Sequence, residues 1–408
     1  MMATRFPFRC QLLAASAALI IFSATVQAQT PTRNPKKDTE VPQTALSLCN
    51  GLEVVSRVSV PPGTAIAASP DGAYLATWVH TTTGAALDLH NRDAGTTQRV
   101  ELVPPALPPG IPWRVQEVAF SRDGTKLAVR TTGTVWVIDL ASARVQFLIG
   151  EDAATQTYPG KMSWGENELA VSFWPVESYL ADAITASPVK VRIYYASSGD
   201  VGRDISLTLP SSNNWTEPRL SPDGNQLAVL LRARQWPGKA DLFLFASDDG
   251  KLLWQKKIGA EDLLWTSGGK QIVALGSDLV WLDAKKGKQV RKADPSVPHS
   301  EFQKLRLNET AQLAVGSFSV YSATGRLFKS NQQHSEKIVL WHFDTATGIC
   351  RIPIAAVNTI DAWPTAHNEI IALEETYDIK PPLRLLKSAQ IVTYRIPSTS
   401  DSANTPKP

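Results

Sequence analysis

Short apolar runs separated by reverse turns recur along the chain, and the stretch from Trp215 to Ile258 shows the pattern most completely. Four apolar runs follow one another there, with a Pro222-Asp223-Gly224 turn after the first and an Asp248-Asp249-Gly250 turn after the third. Proline presets one turn dihedral, aspartate bonds to the backbone two residues on, and glycine supplies positive φ. The stretch therefore predicts a four-stranded antiparallel meander. Such a meander cannot bury both of its faces alone, so it has to pack against others like it.

Six more versions of this unit can be found in the chain. Each has a turn followed by a second strand that begins with an aliphatic pair, and the pairs recur about every 40 to 60 residues. The pairs are Leu75-Ala76, Leu127-Ala128, Leu169-Ala170, Leu227-Ala228, Ile272-Val273, Leu313-Ala314 and Ile370-Ile371. Repeated meanders of this length are typical of a β-propeller.

The two ends of the repeat region predict how the ring closes. The last unit stops at its third strand, Gln390 to Ile396, and an unassigned strand, Glu53 to Val60, precedes the first unit. We expect these two strands to pair, because ring closure gives every blade two neighbours and leaves no uncovered end. The prediction is an all-β fold over residues 53–396, a seven-bladed β-propeller of four-stranded antiparallel blades closed by an N-terminal strand.

The turns carry a family resemblance. Ser69 to Gly72 and Ser221 to Gly224 both have the sequence Ser-Pro-Asp-Gly, and Ser121 to Gly124 differs only at its second position. Followed by a Leu-Ala strand, such a turn resembles the unit of the WD-repeat-like propellers of the TolB type. The resemblance covers residues 53–396 and implies the fold, but such units serve scaffolds, receptors and enzyme accessory domains alike. TolB itself has an additional α/β domain for which we expect no room here, so a role in the Tol system is not implied.

Residues 1–28 predict a secretory signal peptide. Arg5 and Arg9 form a positive n-region, Gln11 to Val26 an apolar h-region, and Val26-Gln27-Ala28 a cleavage site. The apolar run is shorter than the ~20 residues of a membrane-spanning helix. We expect cleavage after Ala28 and a periplasmic or secreted protein with no integral membrane segment. Residues 29–52 read as a flexible leader and residues 397–408 as a disordered tail.

Charge and chemical motifs favour neither nucleic-acid binding nor catalysis. Cleavage removes two arginines and no acidic residue from a chain of formal net charge +3, which leaves too little charge to attract nucleic acid. The six histidines are scattered and form no metal-binding spacing, and a G-x-S-x-G elbow and a phosphate loop are absent. The turn aspartates lack the spacing of a Ca²⁺ loop, so we interpret them as turn residues. We expect no metal and no cofactor.

The twelve tryptophans fall into two groups. Recurrent strand positions predict a role in packing between blades. The tryptophans at such positions are Trp136, Trp164, Trp265, Trp281 and Trp341. Three others, Trp113, Trp174 and Trp236, lie next to proline in predicted loops and are candidates for interaction.

Long connections are predicted on one face. In a propeller, the loops that join second to third strands share a face with those that join blades, and we name it the long-loop face. The long connections are Pro104 to Trp113, Trp174 to Val189, Arg232 to Ala240, Ser319 to Glu336 and Glu375 to Ala389. Aromatic residues with arginine on such loops are typical of interaction hot spots. The candidate binding residues are Trp174, Tyr179, Arg232, Arg234, Trp236, Tyr321, Arg326, Phe328, Tyr377 and Arg384.

Three functions fit this pattern. The leading hypothesis is an exported, monomeric, non-catalytic propeller that binds a protein or peptide partner on its long-loop face. One alternative is the propeller subunit of a periplasmic oxidoreductase of the quinoprotein or amine-dehydrogenase type, which would carry or accompany a quinone cofactor. The other is a carbohydrate-binding or lyase-type propeller, with loop aromatics stacked on sugars. A further reading of the long loops, that insertions accumulate where they do no harm, also stays open.

Two cysteines remain after cleavage, Cys49 ahead of the N-terminal strand and Cys350 in the sixth unit. Export places them in an oxidising compartment, where paired thiols become disulfides. We predict a Cys49–Cys350 bridge that ties the closing strand to the neighbouring blade. A loop of this length predicts roughly 5 kcal/mol of stabilisation as an upper figure.

Overall fold

The computed structural model describes residues 52–396 with internal gaps. The gaps are residues 81–84, 105–106, 108–112, 153–155, 176–188, 208–213, 234–239, 261, 267, 276–278, 294–299, 309–312, 322–333, 343–346, 352–357 and 381–382. Every regular element in the described part is a β-strand, and the strands form four-stranded antiparallel sheets. The described residues contain no helix with the length and apolarity needed to cross a membrane.

Sheets 1 to 4 follow one another along the chain. Sheet 1 contains β2 (Ala65–Ala68), β3 (Tyr74–His80), β4 (Ala85–Asn91) and β5 (Thr96–Leu102). Sheet 2 contains β6 (Val115–Phe120), β7 (Lys126–Thr131), β8 (Thr134–Asp139) and β9 (Arg144–Ile149). Sheet 3 contains β10 (Thr157–Trp164), β11 (Glu168–Pro175), β12 (Val189–Tyr195) and β13 (Val201–Leu207). Sheet 4 contains β14 (Asn214–Leu220), β15 (Gln226–Ala233), β16 (Ala240–Ala246) and β17 (Leu252–Ile258).

Three further sheets complete the described part. Sheet 5 contains β18 (Asp262–Trp265), β19 (Gln271–Leu275), β20 (Leu279–Asp283) and β21 (Gln289–Ala293). Sheet 6 contains β22 (Ser300–Asn308), β23 (Leu313–Tyr321), β24 (His334–His342) and β25 (Thr347–Arg351). Sheet 7 has the order β26 (Asn358–Pro364), β27 (Glu369–Lys380), β28 (Leu383–Arg395) and β1 (Glu53–Val60).

The N-terminal strand pairs where the sequence predicts. β1 lies antiparallel to β28, with Glu53 opposite Arg395 and Val60 opposite Ala389. It therefore supplies the fourth strand that the last meander lacks. Its side chains are almost all exposed, so backbone hydrogen bonds, rather than apolar burial, attach most of this strand to the sheet.

The aliphatic pairs of the second strands explain how the sheets pack. Leu127 belongs to the apolar core between sheets 1 and 2, whereas the adjacent Ala128 belongs to the core between sheets 2 and 3. Leu227 and Ala228 divide in the same way between the cores on the two sides of sheet 4. Successive side chains of a strand point to opposite faces of the sheet. Two adjacent apolar residues in a second strand therefore indicate a sheet that is covered on both faces. A further core joins sheets 7 and 1.

The Ser-Pro-Asp-Gly turns form as predicted. In the turn after β6, Ser121 Oγ donates to Asp123 Oδ1 at 2.5 Å, and the same oxygen accepts the Thr125 N–H at 3.1 Å. Gly124 has a φ of 68°, a conformation that favours glycine. The turns at Asp71 and Asp223 repeat these hydrogen bonds. The interpretation of these aspartates as turn residues is therefore confirmed.

Tryptophans join neighbouring sheets, as predicted for Trp164 and Trp265. Trp164 Nε1 donates to the Ala119 carbonyl in sheet 2 at 2.9 Å, and Trp265 Nε1 donates to the Arg219 carbonyl in sheet 4, also at 2.9 Å. Each indole ring is therefore buried while its N–H forms a hydrogen bond between the first strands of two adjacent sheets.

The fourth strands make a second repeated contact between neighbouring sheets. Phe147 of β9 packs against Gly199, which lies in the turn between the third and fourth strands of the next sheet, and a Cβ at Gly199 would lie 2.5 Å from the phenyl ring. Trp254 of sheet 4 contacts Gly287 of sheet 5 in the same way. Gly199 and Gly287 also have positive φ, so both the close contact and the backbone conformation require glycine.

Candidate functional site

Charged residues lie within several first strands. We name the set of charged side chains that meet there the first-strand charge cluster. It consists of Glu117, Arg130, Lys161, Glu217, Arg219, Asp262 and Arg306. All but Arg130 come from first strands, and together they extend from sheet 2 to sheet 6.

The register places the acidic residues of the cluster at equivalent positions. In each sheet, one residue of the first strand pairs with the first residue of the aliphatic pair in the second strand. Glu117, Glu217 and Asp262 each lie three residues before that first-strand residue. Asp361 has this register position in sheet 7. An acidic residue therefore recurs at one register position in sheets 2, 4, 5 and 7, whereas Lys161 has that position in sheet 3 and Leu305 has it in sheet 6.

Arg219 is the central cation of the cluster. Its NH2 lies 2.7 Å from Asp262 Oδ1 in sheet 5 and 3.8 Å from Glu217 Oε2 in its own strand. Its Nε donates to the Leu263 carbonyl at 3.2 Å. The guanidinium therefore ties the first strand of sheet 4 to that of sheet 5 with hydrogen bonds in a fixed fork geometry.

A second ion pair spans sheets 2 and 3. Arg130 Nε donates to Glu117 Oε2 at 3.1 Å, and Lys161 Nζ lies 4.0 Å from the same oxygen. Arg130 also donates to Gln116, whose side-chain amide donates to the Thr132 hydroxyl at 3.1 Å. The carboxylate is therefore held by cations from two different sheets.

These surroundings keep the carboxylates ionised. Burial alone would raise the pKa of Glu117, but the charges of Lys161, Arg130 and Arg219 outweigh it and hold that pKa below its ordinary value. Burial likewise opposes ionisation of Asp262, and the charge of Arg219 with the Leu263 N–H more than offsets it, so its pKa is also lowered. Both groups act at neutral pH as fixed negative charges and not as proton donors.

The cluster also extends toward sheet 7. The Arg306 guanidinium carbon lies 4.2 Å from the centroid of the Trp363 ring in β26, a cation–π contact between sheets 6 and 7. Solvent reaches part of the cluster, because the side chains of Lys161 and Asp262 are 26% and 29% exposed. Such a pattern of fixed charges can recognise charged or polar groups of a ligand by ion pairing.

Arg192 of β12 makes further polar contacts in sheet 3. Arg192 NH2 lies 2.6 Å from Asp152 Oδ2, and its Nε lies 3.1 Å from Asp204 Oδ2. Its guanidinium carbon also lies 4.9 Å from the centroid of the Phe173 ring. Arg192 therefore fixes the connection before β10 against the outer strands of the sheet.

Trp174, a predicted loop residue, lies instead within a strand. It belongs to β11 and pairs with Tyr158 of β10. Its indole packs over Gly160, where a Cβ would lie 2.6 Å from the ring. The expectation of a loop position is therefore wrong, because a proline at the end of a strand ends the pairing without excluding the residue before it. A binding role for Trp174 stays a prediction.

The remaining candidate binding residues are described in part or not at all. Four of them lie in strands near the long-loop face: Arg232 in β15, Tyr321 in β23, Tyr377 in β27 and Arg384 in β28. Five fall outside the described residues: Tyr179, Arg234, Trp236, Arg326 and Phe328. Of the cysteines, Cys350 pairs with Leu340 in sheet 6 and Cys49 lies outside the described residues, so the disulfide stays a prediction.

The predicted loop from Glu375 to Ala389 is in fact a hairpin, which corrects the sequence interpretation. β27 and β28 have 12 and 13 residues, and they pair with each other from Glu369 and Arg395 to Lys380 and Leu383. The pairing of β26 with β27 ends at Asn358 and Glu375, and the pairing of β1 with β28 ends at Val60 and Ala389. We name the part beyond both, residues 376–380 and 383–388, the ribbon.

His90 lies away from the charge cluster. Its Nε2 lies 3.0 Å from the Thr77 hydroxyl and its Nδ1 lies 2.9 Å from the Thr97 hydroxyl. Burial lowers its pKa, against the charge of Asp88. His90 therefore serves the packing of sheet 1. Within the described ranges, no group of three or more His, Cys, Asp and Glu residues could hold a metal ion.

Comparison with models of known protein families gave no match, and comparison with curated proteins gave none either. The interpretation of the site therefore depends on its own geometry.

Proposed function

We propose that the mature chain is an exported, non-catalytic, seven-bladed β-propeller of the WD-repeat-like, TolB type, which β1 closes. It binds a protein or peptide partner on its long-loop face. The proposal combines the repeated sheets with the position of the longest strands and connections.

Contacts between sheets support a closed ring. Apolar cores connect sheets 1 to 5 in order and sheet 7 to sheet 1. Arg306 of sheet 6 interacts electrostatically with Asp262 of sheet 5 and makes a cation–π contact with Trp363 of sheet 7. Arg92 NH2 of sheet 1 lies 2.8 Å from Glu369 Oε2 of sheet 7, and the Ala366 N–H donates to the Pro70 carbonyl at 3.2 Å. An open array would leave the outer faces of its first and last sheets uncovered, whereas these contacts join them.

One observation carries the binding proposal: the longest strand pairs extend the sheets toward the same face. β23 and β24 run to the pair Tyr321–His334, and β27 and β28 run on to Lys380 and Leu383. The ends of these strands carry the aromatic and arginine residues that the sequence assigns to binding. Asp262 and Glu117 lie near the starts of their first strands, so the charge cluster lies toward the same face.

A capture experiment tests the proposal. Mature protein is immobilised and exposed to an envelope extract, and captured proteins are quantified for wild type and for an Arg234→Ala, Trp236→Ala variant. The matched control is Lys285→Ala, Lys286→Ala in an exposed turn at the opposite edge of sheet 5. We expect the first variant to lose a specific partner and the control to retain it, with melting temperatures within a few degrees, because substitutions in a predicted surface loop or an exposed turn cost about 0.5 kcal/mol or less. Equal capture by all three proteins would contradict the proposal.

A further inference from the structure

The ribbon is a two-stranded extension of sheet 7 whose two outer edges pair with no other described strand. Asn358 of β26 pairs with Glu375, and Val60 of β1 pairs with Ala389, and each is the last pair on its side. Among the described strands, none pairs with the outer edges of residues 376–380 or 383–388. The ribbon extends about 16 Å past its neighbours, at about 3.3 Å per residue.

The base of the ribbon is rigidly held. The buried Glu374 accepts hydrogen bonds from the Tyr394 hydroxyl and from Gln390 Nε2, the latter at 2.9 Å. Arg57 of β1 lies 3.5 Å from the same carboxylate. Glu374 therefore joins three strands of sheet 7 directly below the ribbon. Lys387 of β28 is the extra residue of a β-bulge opposite Thr376 and Tyr377, at the point where the ribbon leaves the sheet, and bulges of this kind turn a strand away from its sheet.

An open strand edge of this kind is a template for another strand. It presents unpaired N–H and C=O groups, and proteins protect such edges with lysine, proline and bulges. The two lysines of the ribbon, Lys380 and Lys387, disfavour pairing with a second copy of this chain and leave the edges to a strand of opposite charge. Extended peptides add to exposed edges by main-chain hydrogen bonds, while alternate side chains give specificity.

Charge distinguishes the two edges and indicates the ligand. The β28 part of the ribbon carries Arg384 and Lys387 with no acidic residue, whereas the β27 part carries Asp378 beside Lys380. Leucines occupy positions 383, 385 and 386. This edge therefore matches an extended segment in which acidic and apolar residues alternate.

We propose that residues 383–388 of β28 bind an extended acidic segment of a protein partner as an added β-strand, in line with β1. The inference rests on the proposed function, because it names the kind of partner that the long-loop face receives. Backbone pairing supplies the affinity, and Arg384 and Lys387 select for acidic sequences.

Fluorescence anisotropy with a synthetic probe tests the inference. The probe is a short labelled peptide of alternating valine and glutamate, added to the mature protein. One comparison peptide has the same sequence with alternate backbone nitrogens methylated, which removes strand pairing but keeps every side chain. The other replaces each glutamate by lysine. We expect binding of the acidic probe alone, with the affinity of both comparison peptides lower by about tenfold or more. Equal binding of the methylated peptide would overturn strand addition.

Variants locate the site on the ribbon. Arg384→Glu, Lys387→Glu is expected to weaken the acidic probe by about tenfold, and the matched Lys285→Glu, Lys286→Glu protein to bind like wild type. A second variant replaces residues 377–387 by an Asn-Gly turn, which removes the ribbon and should abolish binding. Unchanged binding by the charge-reversed protein, or no binding by wild type, would overturn the inference.

The two proposals can fail separately. If the probe does not bind while partner capture still depends on Arg234 and Trp236, strand addition is wrong and the binding face stands. If the probe binds the ribbon but no long-loop variant affects capture, the proposed function is wrong and the ribbon remains a peptide site.

Discussion

Removal of the Arg219 charge should weaken the fold more than removal of any exposed arginine. Arg219→Met keeps a long apolar side chain but leaves Asp262 and Glu217 without the guanidinium that lies 2.7 and 3.8 Å from them. Breaking a buried ion pair costs about 3 to 5 kcal/mol because the remaining charge stays desolvated. Asp262 keeps some contact with solvent, so we expect about 2 to 4 kcal/mol.

The loss should depend on pH in a defined direction. Glu117 and Asp262 have lowered pKa values in the folded chain, so their contribution to stability is present above the unfolded value of about 4 and is lost as pH falls through the folded values. Without Arg219, the folded pKa values move upward and this contribution is smaller at neutral pH. The difference between wild type and variant should therefore be largest near pH 7 and shrink below about pH 4.

Urea unfolding followed by tryptophan fluorescence measures this difference. The midpoint should shift to lower urea with the slope unchanged, which indicates a change of stability alone. Arg99→Met is the matched control, because Arg99 also makes two hydrogen bonds to one aspartate, Asp88, at an exposed site. The control should have a much smaller effect, because solvent screens exposed ion pairs. An Arg219→Met midpoint equal to that of the control, or a deficit that does not vary with pH, would refute the reasoning.

Three further predictions follow from single positions. Gly95→Ala should cost about 1 kcal/mol of stability, because Gly95 has a positive φ. Gly199→Ala should cost at least twice as much, because Gly199 has a positive φ and also faces a phenyl ring. Urea unfolding midpoints measure both losses, and equal losses would contradict the steric clash. The folded pKa of His90 lies below its unfolded value, so stability should fall as pH drops below about 6.5, and His90→Asn should remove that part of the dependence measured by thermal unfolding. Thiol titration of the unfolded, unreduced mature protein should find Cys49 and Cys350 unreactive, and two free thiols would exclude the bridge.

The sequence predicted the sheets well because each meander is marked locally. Aspartate and glycine set the first turn of sheets 1, 2 and 4, and the aliphatic pair predicts a second strand that packs on both faces. The pairing of Glu53–Val60 with β28 followed from counting strands, since the last meander lacked its fourth. These features act within one unit, so one sequence is enough to find them.

The charge cluster and the ribbon were not predicted, for two physical reasons. Arg219 and Asp262 lie 43 positions apart along the chain, and only the packing of two sheets makes them partners. A signal was nevertheless available, since Glu117, Glu217 and Asp262 recur at one position of the unit. The ribbon was read as a loop because the extra residue Lys387 interrupts the period of two in β28, and because two consecutive prolines, Pro381 and Pro382, are typical of a loop in the sequence.

An experimental structure of the mature chain, at a resolution that shows side chains, tests the central claim most directly. We predict seven four-stranded blades around one axis, with β1 as the outer strand of the last blade and Arg92 paired with Glu369 between the last and first blades. We also predict that the ribbon and the long connections emerge on one face. A ring of six or eight blades, an open array, or a β1 strand paired elsewhere would contradict this fold.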